Sequence, residues 1–162
     1  MVMAVHKLFV DDFDDEIYSL LAIHCTLNDY RIAYLLNKYL NINLKRYVYD
    51  LDFEYTSASY SIYEWEDLNG QTMWNLVSNI CKKEEDSIVS TGSLFDASSK
   101  VIKSYNLIPE YKNVNYFLKI ENDENKVNMK SIISKIQKIP QVVTVYDVDV
   151  INLKSKNNLI FN

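Results

Sequence analysis

The chain reads as a single α+β domain, with a mixed or antiparallel sheet and two helices on one of its faces. Three observations predict this. Two stretches carry apolar residues at helical spacing. Several others alternate, or run apolar over strand length. The 162 residues, 48% hydrophobic and 24% charged, are enough for one domain with its own core.

EIYSLLAIHCTL (16–27) is a continuous apolar run of strand length, expected to be buried on both faces. NDYRIAYLLNKYL (28–40) is the clearest helix. Asn28 is its expected cap, and Asp29 suits the positive end of its dipole. Ile32, Leu35, Leu36, Tyr39 and Leu40 form one apolar stripe. LKRYVYDLDFEY (44–55) alternates. Tyr47, Tyr49, Leu51, Phe53 and Tyr55 point one way, and Val48, Asp50, Asp52 and Glu54 the other, as in a half-buried antiparallel strand. SYSIYEWE (59–66) and TMWNLVSNICK (72–82) are two further strands. The Asn-Gly pair in DLNGQ (67–71) predicts a tight hairpin between them.

KEEDSIVSTGSLFDASSK (83–100) reads as a long loop, and VIKSYNLI (101–108) as a short strand. VNYFLKIE (114–121) is a strand. NMKSIISKIQKI (128–139) is a helix capped by Asn128, with Met129, Ile132, Ile133, Ile136 and Ile139 on one side and Pro140 as its stop. VVTVYDVDV (142–150) is the last strand, and a polar tail follows.

The order strand, helix, strand thus occurs twice, over 16–27, 29–40 and 44–54, and again over 114–121, 129–139 and 142–150. Two such βαβ units on one sheet make a ferredoxin-like arrangement, here with the 59–82 hairpin inserted between them. Both helices are then expected on one sheet face, leaving the other for water or a partner.

Composition narrows the function. A net charge of -5 with no dense basic run argues against nucleic acid, whose phosphates must be neutralised. The N-terminal stretch lacks the pattern of a secretory signal, and no apolar run approaches membrane-spanning length. Cys25 and Cys81 are therefore expected to be reduced thiols in a cytoplasmic protein. The 13 tyrosines beside 2 glycines, 2 prolines and two arginines, Arg31 and Arg46, read first as coding bias.

Ile108, Pro109 and Glu110, followed by Val114, Asn115 and Tyr116, form the most distinctive stretch. They resemble the signature of the bacterial IPExxxVDY family, and the helix LNDYRIAYLLNKYL and the end IPQVVTVYDVDVINLKSKNNLIF are also similar to that family. The resemblance implies a shared fold and names no activity. Asn115 stands where the family usually has Asp, a change that a catalytic or metal-binding carboxylate would not survive. The residue types alone suggest a mechanical role. Pro109 ends a ladder, Glu110 caps or pairs, and Asn115 ties a turn. Direct contact of Glu110, Asn115 and Tyr116 with a ligand or partner is the other reading.

Remaining candidates are sparse. DDFDDE (11–16) is a solvated acidic turn rather than a calcium loop, since no glycine follows the sixth position. His24 and Cys25 point to opposite faces of one strand, and with His6 and Cys81 they lack zinc-ligand spacing. Asp29, Tyr30 and Arg31 open the first helix, where Arg31 is a candidate for binding an anion or a partner. Glycine stands only at 70 and 92, so no phosphate loop can be written. Aromatic residues over 47–65 sit among carboxylates, against a base-stacking platform.

The leading expectation is a non-enzymatic protein-interaction or homodimeric module, without metal or cofactor. A small-molecule-binding regulatory domain comes second, and an enzyme assembled from distant residues third.

Overall fold

The computed structural model describes residues 18–86, 100–122 and 127–161. In chain order the elements are β1 (Tyr18–Cys25), α1 (Asp29–Leu40), β2 (Lys45–Arg46), β3 (Leu51–Phe53), β4 (Ala58–Tyr60), β5 (Ile62–Asp67), β6 (Thr72–Ser78), β7 (Ile80–Asp86), β8 (Lys100–Asn106), β9 (Tyr116–Asn122), α2 (Met129–Gln137) and β10 (Val142–Asp147). Short 3-10 turns cover Pro109–Tyr111 and Lys156–Leu159. The fold is α+β, with two helices among the described residues and more strand than helix.

Six strands form the main sheet in the order β10-β1-β9-β6-β5-β2, and every neighbouring pair is antiparallel. Hence β9 and β10 run the same way on either side of β1, and β1 and β6 run the same way on either side of β9. Two hairpins, β3–β4 and β7–β8, form small sheets of their own.

Helix α1 begins where its sequence says, but not by the expected cap. The Asn28 side chain accepts no backbone N–H and donates instead to the Tyr30 hydroxyl at 3.5 Å. Asn41 ends the helix in the left-handed region at φ 55°, a conformation that asparagine tolerates. In α2 the expected cap forms, with Ser131 N–H donating to Asn128 Oδ1 at 3.1 Å. Ile32, Ala33 and Leu36 of α1 and Ile132, Ile136 and Ile139 at α2 bury themselves on Leu21, Ile23, Leu76, Leu118 and Ile120 of the sheet. Each such side chain contributes roughly 1.5–3 kcal/mol.

The other sheet face is not left open, contrary to the expectation from sequence. Leu20, Ala22, Val77 and Phe117 on that face are covered by Leu107, Ile108 and Val114, and by Val148, Val150, Leu153 and Leu159 of the tail. The tail reads as polar in the sequence because its apolar residues follow no period. Lys119 of β9 is only 4% exposed on this face. Its ammonium donates to Leu159 O at 2.8 Å, pairs with Glu121 at 2.7 Å, and lies 4.6 Å from the Tyr18 ring and 5.0 Å from the Phe161 ring.

Three expected strands are broken. The 44–55 strand bends after β2, where Arg46 pairs with Asp50 and donates to Tyr47 O and Ile62 O. That bend moves β3 into a hairpin with β4, so β6, not 44–54, is the strand beside β9. The 59–66 strand breaks at Ser61 and the 72–82 strand at Asn79. Ser61 and Ser78 lock the breaks at one level, since Ser78 N–H donates to Ser61 O and Ser61 N–H to Ser78 Oγ, both at 3.0 Å. Beyond this level Ala58, Tyr60 and Cys81 turn into the second core. The hairpin between β5 and β6 forms, but its loop spans four residues and Gln71, not the Asn-Gly pair, takes the left-handed conformation, at φ 53°. The long loop is shorter than expected: β7 reaches Asp86 and β8 starts at Lys100, and the rest of that stretch lies outside the described residues.

Asn79, fully buried, holds the break. Its Nδ2 donates to Tyr111 O and Val114 O, and its Oδ1 accepts from Ile108 N–H, all at 2.8 Å. Its backbone bonds Asn115 O and Leu107 N–H at 2.9 Å. Replacing Asn79 with alanine takes the side-chain partner from buried Ile108 N–H and Val114 O and one of two donors from Tyr111 O, and is expected to cost about 3 kcal/mol in urea unfolding. Asn79→Asp, which faces two carbonyl oxygens with a carboxylate, is expected to be at least as damaging.

Candidate functional site

The start of α1 and the segment before β9 meet at one end of the main sheet. Asn115 N–H donates to Ile23 O at 3.2 Å, continuing the β1–β9 ladder by one residue. Its side chain then takes the next donor, Cys25 N–H, at 3.0 Å. The pairing of β1 with β10 shifts register at this place, between His24 and Cys25. Tyr116, 8% exposed, donates its hydroxyl to Leu27 O at 2.6 Å and so ties β9 to the turn that enters α1.

These residues border a cleft of about 360 Å³, lined by Asn28, Ser78, Ile80, Lys82, Asn115 and Tyr116. Of the six candidate contacts, Asn115 and Tyr116 line it and Asp29 adjoins it. Asp29 Oδ1 accepts the Tyr30 N–H at 2.9 Å. Burial above all, and then the neighbouring Cys25 and Asp29, pushes the Tyr116 phenol far above its ordinary value of 10. Burial and Asp29 likewise raise Tyr63.

Tyr30 and Arg31 do not line the cleft. Tyr30 is 61% exposed, and Arg31 is exposed with no partner among the described residues. The arginine that is engaged is Arg46, held by Asp50 and 5.6 Å above the Tyr63 ring. Tyr63 is itself a core residue at 7% exposure, not a surface contact. Glu110 serves the tail, where its carboxylate accepts Ser155 N–H at 3.0 Å and the Ser155 hydroxyl at 2.5 Å. Burial pushes the Glu110 carboxyl up, but the Ser155 bonds outweigh it and hold the group below its ordinary value.

His24 and Cys25 do face opposite ways. His24 Nε2 lies 3.1 Å from the Tyr146 hydroxyl, and Cys25 packs in the helix-side core. Burial raises the Cys25 thiol, which keeps it protonated and poorly nucleophilic. Among the described residues no group of three His, Cys, Asp or Glu is placed to hold a metal. His6 and the acidic run 11–16 lie outside the described residues. Among those residues no helix is long and apolar enough to cross a membrane.

Sequence reasoning passed over Asn79, Lys119 and Arg46. Asn79 and Lys119 did leave a signal, a polar residue inside an otherwise apolar strand. Arg46 carried the spacing to Asp50. Comparisons of the chain with protein-family models, with curated proteins and with solved structures give no match.

The geometry asks position 115 for an acceptor oxygen, which Asn and Asp both supply. Asn115→Asp is therefore expected to stay within about 1 kcal/mol of the parent, and Asn115→Ala to lose about 1–3 kcal/mol by orphaning Cys25 N–H. Equilibrium unfolding of the two variants checks this.

Tyr116 makes a pH-dependent contribution. Its folded phenol holds its proton more tightly than the unfolded one, so its stabilisation is complete below the ordinary value of 10 and falls away as pH rises above it. Tyr116→Phe is expected to be less stable than the parent by about 1 kcal/mol at neutral pH. That gap is expected to shrink above pH 10 in unfolding curves taken across the alkaline range.

Proposed function

We propose that this chain is a non-enzymatic interaction module that associates with a second copy of itself, on a ferredoxin-like core. The β1–α1–β6 and β9–α2–β10 connections, each straddling an antiparallel strand, support that fold reading. Five of the residues by which the chain resembles the IPExxxVDY family have definite structural tasks. Ile108 and Val114 are buried, Glu110 binds the tail, and Asn115 and Tyr116 close the β1 end. Unpaired Cys25 and Cys81 fit a reducing, cytoplasmic setting.

The covered second face moves the candidate interface to the β2 edge of the main sheet. The observation that carries the reading is a set of exposed tyrosines on that side. Tyr30 and Tyr34 are one turn apart on α1, 61% and 65% exposed. They share a helix flank with Asn37, whose carboxamide clamps Leu44 N–H and O just before β2. After β2 come Tyr47, Val48 and Tyr49, all exposed, with the two tyrosine rings 6.4 Å apart. Exposed aromatic groupings of this kind mark interfaces, where tyrosine is enriched. A copy of the same chain suits the site because this side carries both signs of charge, Arg31 and Lys38 of α1 and Lys45 of β2 with Asp29 of α1 and Asp50 after β2. A two-fold axis presents each sign to the other.

Native mass spectrometry and light scattering are expected to give twice the 19.0 kDa chain mass at micromolar concentration. The double variant Tyr34→Lys, Tyr49→Lys is expected to run as a folded monomer. A parent chain that is monomeric at about 100 μM removes the reading.

A further inference from the structure

A second cleft lies between the β3–β4 hairpin and the end of β8. It has a volume of about 290 Å³. The β3–β4 hairpin supplies Phe53, Tyr55 and Tyr60, and the end of β8 supplies Ser104, Tyr105 and Asn106. Pro109 of the motif and Asn158 of the tail close it. Among the described residues no charged side chain lines it.

Its polar groups are incompletely used. Tyr60 is 3% exposed, and its hydroxyl has no hydrogen-bond partner among the described residues. A phenolic hydroxyl with no protein partner in a cleft wall is open to a hydrogen bond from a ligand atom. Asn158 spends its Nδ2 on Leu107 O at 2.8 Å, and Asn106 spends its Nδ2 on Lys112 O at 3.1 Å. Both amide oxygens are thereby left as acceptors without a partner among the described residues. The aromatic walls are rigidly set, with Phe53 edge-on to Tyr55 and to Tyr60 at centroid distances of 6.0 and 5.9 Å.

We propose that this cleft binds a neutral, planar aromatic molecule of one or two rings that presents an N–H to the Tyr60 hydroxyl and the asparagine oxygens. Neutrality follows from the uncharged lining, and planarity from the aromatic walls. The size follows from the volume, at the low end for small-molecule sites. The required donor follows from the free acceptors. The site stands apart from the β2 edge and does not rest on self-association.

The test uses indole and its isostere indene, which lacks the N–H, titrated into the full chain while the side-chain amides of Asn106 and Asn158 are followed by NMR. Indole is expected to give saturable shifts at both amides and to bind about tenfold more tightly than indene. Tyr60→Phe, which keeps the ring and removes the hydroxyl, is expected to cut that preference to about twofold. Ser104→Phe, at an exposed position on the cleft wall, is expected to abolish the shifts. The proposal is overturned if indole gives no saturable shift up to about 10 mM. It is equally overturned if Ser104→Phe leaves the shifts intact, or if Tyr60→Phe leaves the indole preference unchanged.

Discussion

The carboxamide of Asn79 holds the second half of this structure to the first. An asparagine side chain offers two donors and an acceptor in one plane, and here all three meet backbone groups of residues 108–114. Those groups lie in a segment with no regular ladder, so without Asn79 the Ile108 N–H and Val114 O lose their buried side-chain partner. The same residue ends β6 and starts β7, letting one strand leave the main sheet without orphaning its neighbours. Ile108 and Val114 are pinned onto Phe117 as a result, and the apolar face of the sheet is closed from within the chain.

The tail is fastened to this closed face by three separated contacts. Glu110 grips Ser155, Asn158 grips Leu107 O, and Lys119 reaches Leu159 O. A buried lysine is costly unless its charge is answered. Glu121 and two aromatic rings answer it here. Glu110 of the motif is thus a clasp rather than a free carboxylate, and Asn115 is a ladder terminator. The two surfaces we propose for partners lie at the periphery, at the tyrosines beside β2 and in the aromatic cleft lined by Tyr60.

Much of the frame was legible because it is periodic. The strand at 18–25, both helices, the strand at 116–122 and the start of the last strand fall where the apolar spacing puts them. The breaks at Ser61 and Asn79 were not legible, since a single polar residue leaves the alternation intact on both sides. The bend after Arg46 was hidden in the same way, because Tyr47 and Tyr49 keep the strand rhythm although they are exposed in a turn. The covering of the second face was invisible for another reason. Leu153 and Leu159 are isolated apolar residues in a polar tail, and only tertiary hydrogen bonds bring them to the sheet. Glu110 does pair and Asn115 does bond a backbone group, while Arg31, singled out for being rare, has no partner among the described residues.

Native-state hydrogen exchange at Leu107, Ile108 and Cys25 tests most directly whether the second layer is one piece with the sheet. Their amides donate to Asn79 O, Asn79 Oδ1 and Asn115 Oδ1. If Asn79 binds the two layers into one unit, these amides open only with global unfolding, at the same free energy as Leu21 and Phe117 in the central strands. Exchange at Leu107 and Ile108 through a local opening well below that free energy, with β1 and β9 still protected, would contradict the account.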